Sequence, residues 1–409
     1  MKHGINPDFP GSARLRRVVN AAGTMTSLGA NRIVPEAVSA MLAVSPHFVE
    51  IDALQARAAE IIAKATGAES GCLTACSAAG VTLSIAACMT GSDPAKIEQL
   101  PNVDGMRSGV LLQSGHAINY GAPIEQAVRL SGARVVEIGG ATEARMYQLR
   151  ARLREDDIAA ALYVVSHHTA LDGMISLAEW TSACHECGVP VIADMASEFN
   201  LRVVREPGVD IAVYSAHKFM GGPTAGIVAA NNGLAQAVYL QNRGIGRQMK
   251  IGKENICGAM AAMEAWMRRD QGTDREQQRQ VLSLWTEKLK GVPGVSAKII
   301  GDWTGNPIDR LQLTVFPDEA RLYAWELALW LRAGDPAIFA REQFLEHGRL
   351  VLDPCHLLDG EAELVARRVS EIVNGIGDNG CRISWDEYKE RAEDAAGWPH
   401  PRAPVKKDE

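Results

Sequence analysis

Short apolar runs alternate with longer stretches of helical periodicity through the middle of this chain. The apolar runs have the length and composition of buried strands. They are residues 71–74, 109–113, 134–138, 160–165, 189–193 and 211–214. The stretches between them repeat apolar residues with the spacing of a helix that buries one face; they are residues 52–66, 79–89, 122–131 and 177–188. Buried strands separated by helices predict an α/β fold around a mainly parallel sheet.

The pattern changes on both sides of this region. One short helix is predicted before it, and a long helical stretch, 253–290, follows it. Strand and helix patterns then mix, as in a small α+β domain. The predicted organisation is an N-terminal arm (1–50), a large domain (51–255), a linking helix (256–290), a small α+β C-terminal domain (291–396) and a flexible tail (397–409).

The composition is that of an ordinary globular protein, with 47% hydrophobic and 22% charged residues. The length of 409 residues suggests two or three domains. A net charge of −7 argues against general nucleic-acid binding, which requires a basic surface. It does not argue against a small anionic substrate, because a local cluster of arginines is enough to bind one.

Compartment and metal binding are predicted from the first residues and from the cysteines. Residues 1–7 have no apolar segment behind their charge, and no stretch is long and apolar enough to span a bilayer. We therefore expect a cytoplasmic protein without a membrane partner, whose eight cysteines are reduced. Cys184 and Cys187 have the spacing of half a zinc site, but the sequence has no second such pair. We predict that they face the core and that no metal is bound.

The strand 211–214 is followed by the most informative segment, Ser215-Ala216-His217-Lys218, and then by a glycine-rich turn. An ordinary surface lysine needs no such surroundings. A lysine that forms a Schiff base with pyridoxal phosphate needs a strand end, partial desolvation that favours its neutral form, and a nearby phosphate ligand. Lys218 is therefore the predicted cofactor lysine. Ser215 is a predicted phosphate ligand, with a turn serine as the alternative.

The strand 189–193 ends in a carboxylate, Asp194. An enzyme of the pyridoxal type holds an anion against the pyridine nitrogen, so that the protonated ring accepts electrons from the substrate. The alternative is an aspartate that caps the next turn or helix. Because Lys218 follows downstream, we predict the catalytic role for Asp194.

The order of strand, Asp194 and the Ser-x-His-Lys segment resembles the aminotransferase class V group of fold-type I pyridoxal phosphate enzymes. Within that group, the chain is most similar to the SelA-like and D-glucosaminate-6-phosphate ammonia-lyase branch. The segments that carry this resemblance are 19–24, 47–49, 54–55, 100–105, 113–116 and 244–253. The resemblance implies a large domain with a seven-stranded, mainly parallel sheet and pyridoxal 5'-phosphate as the cofactor.

The resemblance also implies further cofactor ligands. Residues 74–80 join a strand to a helix start through small side chains, which leaves backbone N–H groups free to bind a phosphate. Ser77, Ala78 and Ala79 match the family's phosphate loop, although Ser77 also suits a plain helix cap. His217 of the lysine segment completes this predicted cofactor site.

Two histidine positions are predicted to serve the chemistry. His116 follows the strand 109–113, where the family places an aromatic ring or a histidine on the pyridine ring, and it can also move protons. His168, beside His167, follows the strand 160–165 on the same rim. The sequence leaves open which histidine acts as acid or base, and His168 is a candidate to contact the substrate.

The predicted substrate ligands are cations. Arg247 and Lys250 match cations that bind an anionic substrate group in the selenocysteine synthase branch, although a solvated basic face is the alternative. Arg32 and Arg341 are candidates for a carboxylate, which arginine binds bidentately. The chain lacks two arginines that the branch usually carries, because Ala117 follows His116 and Ala30 follows a Leu-Gly pair. We therefore do not transfer a substrate from the family.

The predicted function is a pyridoxal-phosphate-dependent lyase. It would remove the Cα proton of a small hydroxylated or anionic amino acid and eliminate ammonia or water. A racemase, an aldolase and an aminotransferase remain open, because all of them form the same carbanion. A non-catalytic regulator that binds the cofactor is the alternative from another class. The family further implies a homodimer or a larger homo-oligomer.

Overall fold

The structure, a computed structural model, describes residues 15–376 and 383–395. The predicted tail, 397–409, and the first fourteen residues of the predicted arm lie outside this range, as does Cys381. The described residues divide into two compact units. The large unit comprises residues 24–270 and 302–307, and the small unit comprises residues 15–23, 271–301 and the described part of the chain from 308 onward.

The described residues form twelve strands and fourteen α-helices. The strands are β1 (Val18–Ala21), β2 (Ser70–Thr74), β3 (Gly109–Gln113), β4 (Arg134–Ile138), β5 (Ile158–Val164), β6 (Val191–Asp194), β7 (Ile211–Ser215), β8 (Gly226–Ala230), β9 (Val295–Gly301), β10 (Asp309–Val315), β11 (Ala337–Ala340) and β12 (Arg349–Leu352). The helices are α1 (Pro35–Val44), α2 (Ile51–Thr66), α3 (Ser77–Thr90), α4 (Pro94–Gln99), α5 (Ile124–Leu130), α6 (Met146–Arg152), α7 (Leu177–Glu186), α8 (Asn232–Leu240), α9 (Lys253–Arg268), α10 (Gln271–Lys288), α11 (Pro317–Ala320), α12 (Ala324–Ala333), α13 (Glu361–Gly375) and α14 (Trp385–Ala395).

A seven-stranded sheet in the order β2-β8-β7-β6-β5-β3-β4 forms the centre of the large unit. The pairs from β7 to β4 are parallel, whereas β8 runs antiparallel to both β7 and β2. The predicted seven-stranded, mainly parallel sheet is therefore confirmed. The strand β8 was not predicted from the sequence, because this short strand directly follows the glycine-rich turn after Lys218.

Apolar side chains cover both faces of this sheet. Leu111 and Leu112, adjacent on β3, belong to different buried clusters, because successive side chains of a strand point to opposite faces. One cluster includes residues of α2, α7 and α9, and the other includes residues of α3, α5 and α8. Gly80 lets α3 approach closely, since a Cβ there would lie 2.8 Å from Val213 Cγ1. This contact fixes the start of α3 beside the carboxyl edge of the sheet.

The stretch predicted as one helix over 253–290 is two helices, α9 and α10. Arg269, between them, has an extended backbone with φ −63° and ψ 133°. No proline marks this break in the sequence. The boundary between the two units falls between Asp270 and Gln271, so α9 packs within the large unit and α10 within the small one. The apolar pattern alone predicts one continuous helix, but packing in two different units divides it into α9 and α10.

The small unit contains a three-stranded antiparallel sheet, β12-β10-β9, and a parallel pair, β1-β11. The strand β1 lies in the predicted arm, for which no strand was predicted, because four residues are too few to show an alternating or apolar strand pattern. The indole of Trp285, fully buried in α10, donates to the carbonyl of Ala362 at the start of α13 (2.9 Å). This hydrogen bond ties two helices of the unit around one apolar core.

No helix in the described ranges has both the length and the apolar character needed to cross a bilayer. The two cysteines at zinc-like spacing lie on and just after α7, where Cys184 is buried and Cys187 is exposed. Burial raises the pKa of the Cys184 thiol to about 12, so this thiol stays protonated at neutral pH. Within the described residues, histidine, cysteine and acidic side chains form no group that could hold a metal ion.

Candidate active site

Asp194 and Lys218 are brought together by two neighbouring parallel strands. Asp194 is the last residue of β6 and lies opposite Val213 of β7. Lys218 is in the turn that directly follows β7. Because the carboxyl ends of parallel strands meet at one edge of the sheet, both side chains lie at the edge where open α/β folds bind their ligands.

The turn that carries Lys218 is fixed on several sides. Its amine Nζ donates to the hydroxyl of Ser197, which follows β6. Its carbonyl accepts a hydrogen bond from Asn31 Nδ2 at 3.1 Å. The N–H of Gly222 donates to Ala216 O at 2.8 Å and closes the turn. The amine is thus held in place, close to the carboxyl end of β6.

The carboxyl group of Asp194 lies in surroundings that suit a bound cation. Burial raises the pKa of Asp194, while the charge of Lys218 and a hydrogen bond from Ala196 N–H (3.2 Å) oppose this shift. A desolvated carboxylate is stabilised by a positive partner at short range. A protonated pyridine nitrogen would supply that partner, so this residue fits the group predicted from the sequence.

The N-terminus of α3 lies next to the same edge and differs in detail from the sequence prediction. The cap residue is Cys76 and not Ser77, which is the first helical residue. The Cys76 sulfur accepts from Ala79 N–H at 3.4 Å, and sulfur is a weak acceptor. The N–H of Ala79 is therefore held only weakly, and the positive end of a fourteen-residue helix suits a phosphate. Ser77 and Ala78 are partly exposed there.

Ser215 and His217 form a pair beside the lysine. Ser215 is buried at the end of β7, and its hydroxyl lies 3.1 Å from His217 Nδ1. Burial, and then the charge of Lys218, lower the pKa of His217. The ring is therefore neutral at physiological pH and does not compete with Lys218 as a cation.

His116 is locked in one protonation state. The ring is buried at 2% exposure, and its Nδ1 accepts a hydrogen bond from Val164 N–H at 3.2 Å. Burial lowers the pKa of His116 to about 4. A neutral imidazole whose Nδ1 accepts must carry its proton on Nε2. His116 can therefore donate a hydrogen bond from Nε2, but at neutral pH it does not act as a cation. Its edge packs against Tyr163, with ring centroids 4.5 Å apart.

The rim histidines lie after β5. His168 is exposed, and its ring centroid is 3.9 Å from that of His167. The backbone N–H of His168 donates to Ser166 Oγ at 3.2 Å, which shapes the turn. The exposed position is compatible with a substrate contact and leaves the predicted role of His168 a prediction.

The predicted cations Arg247 and Lys250 are both exposed; Arg247 lies within a short 3₁₀ turn, Ile245–Met249, and Lys250 directly follows it. The glycines before them serve the packing of the chain itself. A Cβ on Gly244 would lie 2.6 Å from the carbonyl of Ile97, and one on Gly246 would lie 2.7 Å from that of Gln241. Their presence therefore does not by itself indicate a ligand.

A third cation of this segment, Lys253, has a structural role. Its amine donates to the carbonyls of Ser45 and His47, just after α1. Arg32, by contrast, is exposed on a segment that runs along the lysine turn, where Val34 N–H donates to Gly221 O at 2.8 Å.

Arg341 belongs to the small unit, where it shares a buried carboxylate with a second arginine. Asp353 Oδ2 accepts from Arg310 Nε at 2.6 Å and lies 3.7 Å from Arg341 Nη1. Burial alone would raise the pKa of Asp353, but the two guanidinium charges hold it below its usual value. Burial also raises the pKa of the nearby Cys355 thiol well above its usual range, so this cysteine is not a thiolate.

Sequence reasoning missed four residues near the lysine. Ser197 and Glu198 follow β6, Asn31 belongs to the N-terminal segment, and Tyr120 precedes α5. Burial raises the pKa of Tyr120, as does the negative charge of Asp194, which places its phenol near the site. The position of Ser197, shortly after a strand-end aspartate, was the one signal available in the sequence.

Comparison with known proteins shows the family. A sequence profile of the family "SelA: L-seryl-tRNA selenium transferase" matches residues 18–299, more than half of the chain. The chain belongs to this family. D-glucosaminate-6-phosphate ammonia lyase of Salmonella typhimurium (strain 14028s / SGSC 2262) is 35% identical over 374 residues, which span 91% of this chain and 100% of that protein. A 5'-C-glycyluridine monooxygenase-decarboxylase from a Streptomyces species is 34% identical and covers 87% of this chain and 90% of that protein.

The fold of the SelA-family chain matches a solved structure. A D-glucosaminate-6-phosphate ammonia-lyase superposes with a TM-score of 0.81 at 34% identity, covering 91% of this chain and 99% of that one. The predicted family and fold are therefore confirmed. The chain is an enzyme of this fold, and the family and the fold imply pyridoxal 5'-phosphate as its cofactor, in agreement with the sequence analysis.

Proposed function

We propose that this SelA-family enzyme is a lyase that removes the Cα proton of a small hydroxylated or anionic amino acid and eliminates water and ammonia. The observation that carries the proposal is the fixed position of the Lys218 amine, bonded to Ser197 beside the strand-end carboxylate of Asp194. A lysine so placed reaches both a cofactor held at this edge and the substrate bound to it. The 35% identity to an ammonia lyase, over that protein's full length, supports the same reaction.

When bound, pyridoxal phosphate would supply an electron-accepting ring that lowers the barrier to Cα deprotonation. Its phosphate would rest on the N–H groups of Ser77, Ala78 and Ala79 at the start of α3, with Ser215 as a further ligand. Asp194 would hold the positive charge of the ring nitrogen. His116, neutral and protonated on Nε2, would lie against the ring.

Lys218 would have two duties in this scheme. It would hold the cofactor, and its neutral amine would take the Cα proton of the substrate. The ammonium group formed in this way would give the proton to the Cβ hydroxyl, which would leave as water. The released product would react with water, which replaces the amino group and gives ammonia and a keto acid. His168, exposed on the rim, is the proposed contact to the substrate.

Binding of an anionic substrate group is proposed for Arg247 and Lys250, with Arg32 on the segment beside the lysine turn as a further candidate. The predicted role of Arg341, which pairs with Asp353 inside the small unit, stays a prediction. Ala30, which is fully buried with φ of 60°, stands where selenocysteine synthases of this branch usually carry an arginine, and this difference supports a substrate unlike theirs.

An assay of ammonia and keto acid tests this function. The cofactor-loaded enzyme is incubated with D- and L-amino acids that carry a β-hydroxyl group, including 2-amino-2-deoxyaldonates with and without a terminal phosphate. We expect equal amounts of ammonia and keto acid, no oxygen uptake, and the highest kcat/KM for an anionic substrate. Inversion or Cα–H exchange without keto acid would identify a racemase instead.

The same assay addresses a second candidate function. The 34% identity to a monooxygenase-decarboxylase makes an oxygen-consuming decarboxylation the main competitor. Oxygen uptake coupled to release of carbon dioxide would replace the lyase proposal by that reaction. A cofactor-loaded protein that turns over none of these substrates but binds them would indicate a regulator.

We also propose a homodimer or a larger homo-oligomer, supported by an exposed apolar surface at α1. Leu42 is 69% exposed on this helix, and Phe48, just after it, is fully exposed. Apolar side chains exposed together commonly mark a protein interface. The other face of α1 packs against α9, where Met41 contacts Gly258.

Light scattering tests the dimer. Leu42→Lys with Phe48→Ser should weaken self-association by about 30-fold or more, because the loss of even one of the two interface anchors costs about 2 kcal/mol. Leu130→Lys is the matched control, because Leu130 is 55% exposed on α5, away from α1. A wild-type protein of monomer mass at micromolar concentration would overturn the proposal.

A further inference from the structure

A cluster of hydrogen-bonded polar side chains fixes the segment that follows Asp194. Residues 302–307 belong to the large unit although they connect two strands of the small one. The N–H of Phe199 donates to Asn306 Oδ1 at 2.9 Å. Asp302 Oδ1 accepts from Thr304 N–H at 3.0 Å and from Asn306 Nδ2 at 3.3 Å. The loop is therefore tied to the segment that carries Ser197, the partner of Lys218.

The hydroxyl of Thr304 makes three contacts, and their donors can be counted. It accepts from Asn306 Nδ2 at 3.0 Å. It lies 2.6 Å from Asp302 Oδ1 and 3.1 Å from Glu198 Oε1. A hydroxyl has one proton and two lone pairs, so it can donate to only one of the two carboxyl groups. The contact to Asp302 is the shorter one, so we assign Thr304 as the donor to Asp302.

The contact between Thr304 Oγ1 and Glu198 Oε1 is then a hydrogen bond only if Glu198 carries a proton and donates it to Thr304. Asp302 already accepts from backbone and amide N–H groups, which stabilise its negative charge. Glu198 is only 9% exposed, and its burial favours the neutral form more strongly than its contacts to Thr304 and Asn306 favour the charged form. The single proton of the Thr304 hydroxyl and the burial of Glu198 together favour a carboxylic acid, and not a carboxylate, at position 198.

The charges around Glu198 agree with this assignment. Burial, and then the charge of Asp302, raise the pKa of Glu198 to about 7, while the contacts to Thr304 and Asn306 and the charge of Lys218 oppose this shift. Tyr214 of β7 also faces Glu198, and its own pKa is raised mainly by burial, so it remains neutral. Within the described part of the chain, Asp302, Lys218 and Tyr214 are thus the titratable groups whose charges act on or respond to Glu198.

We propose that Glu198 is a positioning residue, held as a neutral acid by Thr304, that keeps negative charge away from Lys218 and so favours the amine's uncharged form. If Glu198 ionised, its charge would favour the protonated amine, which cannot accept the Cα proton. This inference deepens the proposed function and rests on it for the role of Lys218. The protonation of Glu198 itself does not depend on that function.

Infrared spectra of the cofactor-free protein test the protonation directly. In pH-difference spectra, we expect a carbonyl band of a protonated carboxyl that is lost between about pH 6 and 8, with a midpoint near 7. Glu198→Gln should lack this band. Asp302→Asn should move the midpoint down by about one unit, because it removes a neighbouring negative charge. Thr304→Ser, which retains the hydroxyl, should leave the midpoint unchanged.

The visible spectrum of the cofactor-loaded protein tests the effect on Lys218. The wild-type band should change with a component near pH 7 that Glu198→Gln lacks. A midpoint below pH 5 for the infrared band, or a band that persists in Glu198→Gln, would overturn the assignment. An infrared band as expected with an unchanged visible titration would contradict the link to Lys218 alone. A protein that binds no cofactor but shows the infrared band would reject the proposed function and retain the neutral acid.

Discussion

Lys218→Ala should abolish turnover, lowering kcat by about 10³-fold or more, because the change removes both the covalent link to the cofactor and the base that takes the Cα proton. The visible absorption band of the bound cofactor should shift, since only noncovalent contacts would remain. Steady-state kinetics and an absorption spectrum of the variant check both results.

The control for this substitution is Lys64→Ala, which removes an exposed lysine from the last turn of α2. It should leave kcat and the spectrum unchanged. Turnover by Lys218→Ala within tenfold of the wild type would show that another group removes the proton.

Asp194→Asn should lower kcat by about 10²- to 10³-fold while the cofactor stays covalently bound, a loss of about 3–4 kcal/mol in transition-state stabilisation. The amide keeps the shape of the side chain but not the charge that the ring nitrogen requires. Because burial disfavours a bare carboxylate at this position, we expect the charge of Asp194 to depend on a positive partner such as the ring nitrogen. Kinetics together with the visible spectrum separate chemistry from cofactor binding.

Asp210→Asn is a matched control for this change. Asp210 directly precedes β7 and so lies at the amino ends of β6 and β7, whereas Asp194 lies at the carboxyl end. Its Oδ2 accepts a hydrogen bond from Val191 N–H at 2.8 Å. Its replacement should reduce stability by about 1 kcal/mol and leave kcat within a few-fold of wild type. Equal losses of kcat in both variants would mean that Asp194 acts through the strand and not through its charge.

His116→Phe keeps an aromatic ring but removes the Nε2 donor. We expect it to lower kcat far less than Asp194→Asn does.

The large sheet was predictable because its strands are short, apolar and bounded by turns. The strands at 109–113 and 134–138 have the predicted bounds. β1 and β11 escaped prediction, because they are four residues each and gain stability only by pairing across the chain. The break between α9 and α10 escaped it as well, since it depends on which unit each helix packs against.

The candidate site was predictable where chemistry requires a residue type at a strand end, as for Asp194 and Lys218. Hydrogen bonds between residues that are far apart in the chain give no such pattern in the sequence. Asn31 bonds a residue far along the chain, and Thr304 reaches Glu198 from a loop of a different sequence region. The cap at Cys76 was missed because sulfur is an unusual cap, and serine follows it directly.

The central claim is that Lys218 carries the cofactor, and peptide mapping after borohydride reduction tests it most directly. The enzyme is loaded with pyridoxal phosphate, reduced, digested and analysed by mass spectrometry. We predict one modified peptide, with the reduced pyridoxyl phosphate group on Lys218 and a yellow band that reduction bleaches. A label on another lysine, or a protein that takes up no cofactor, would contradict the account.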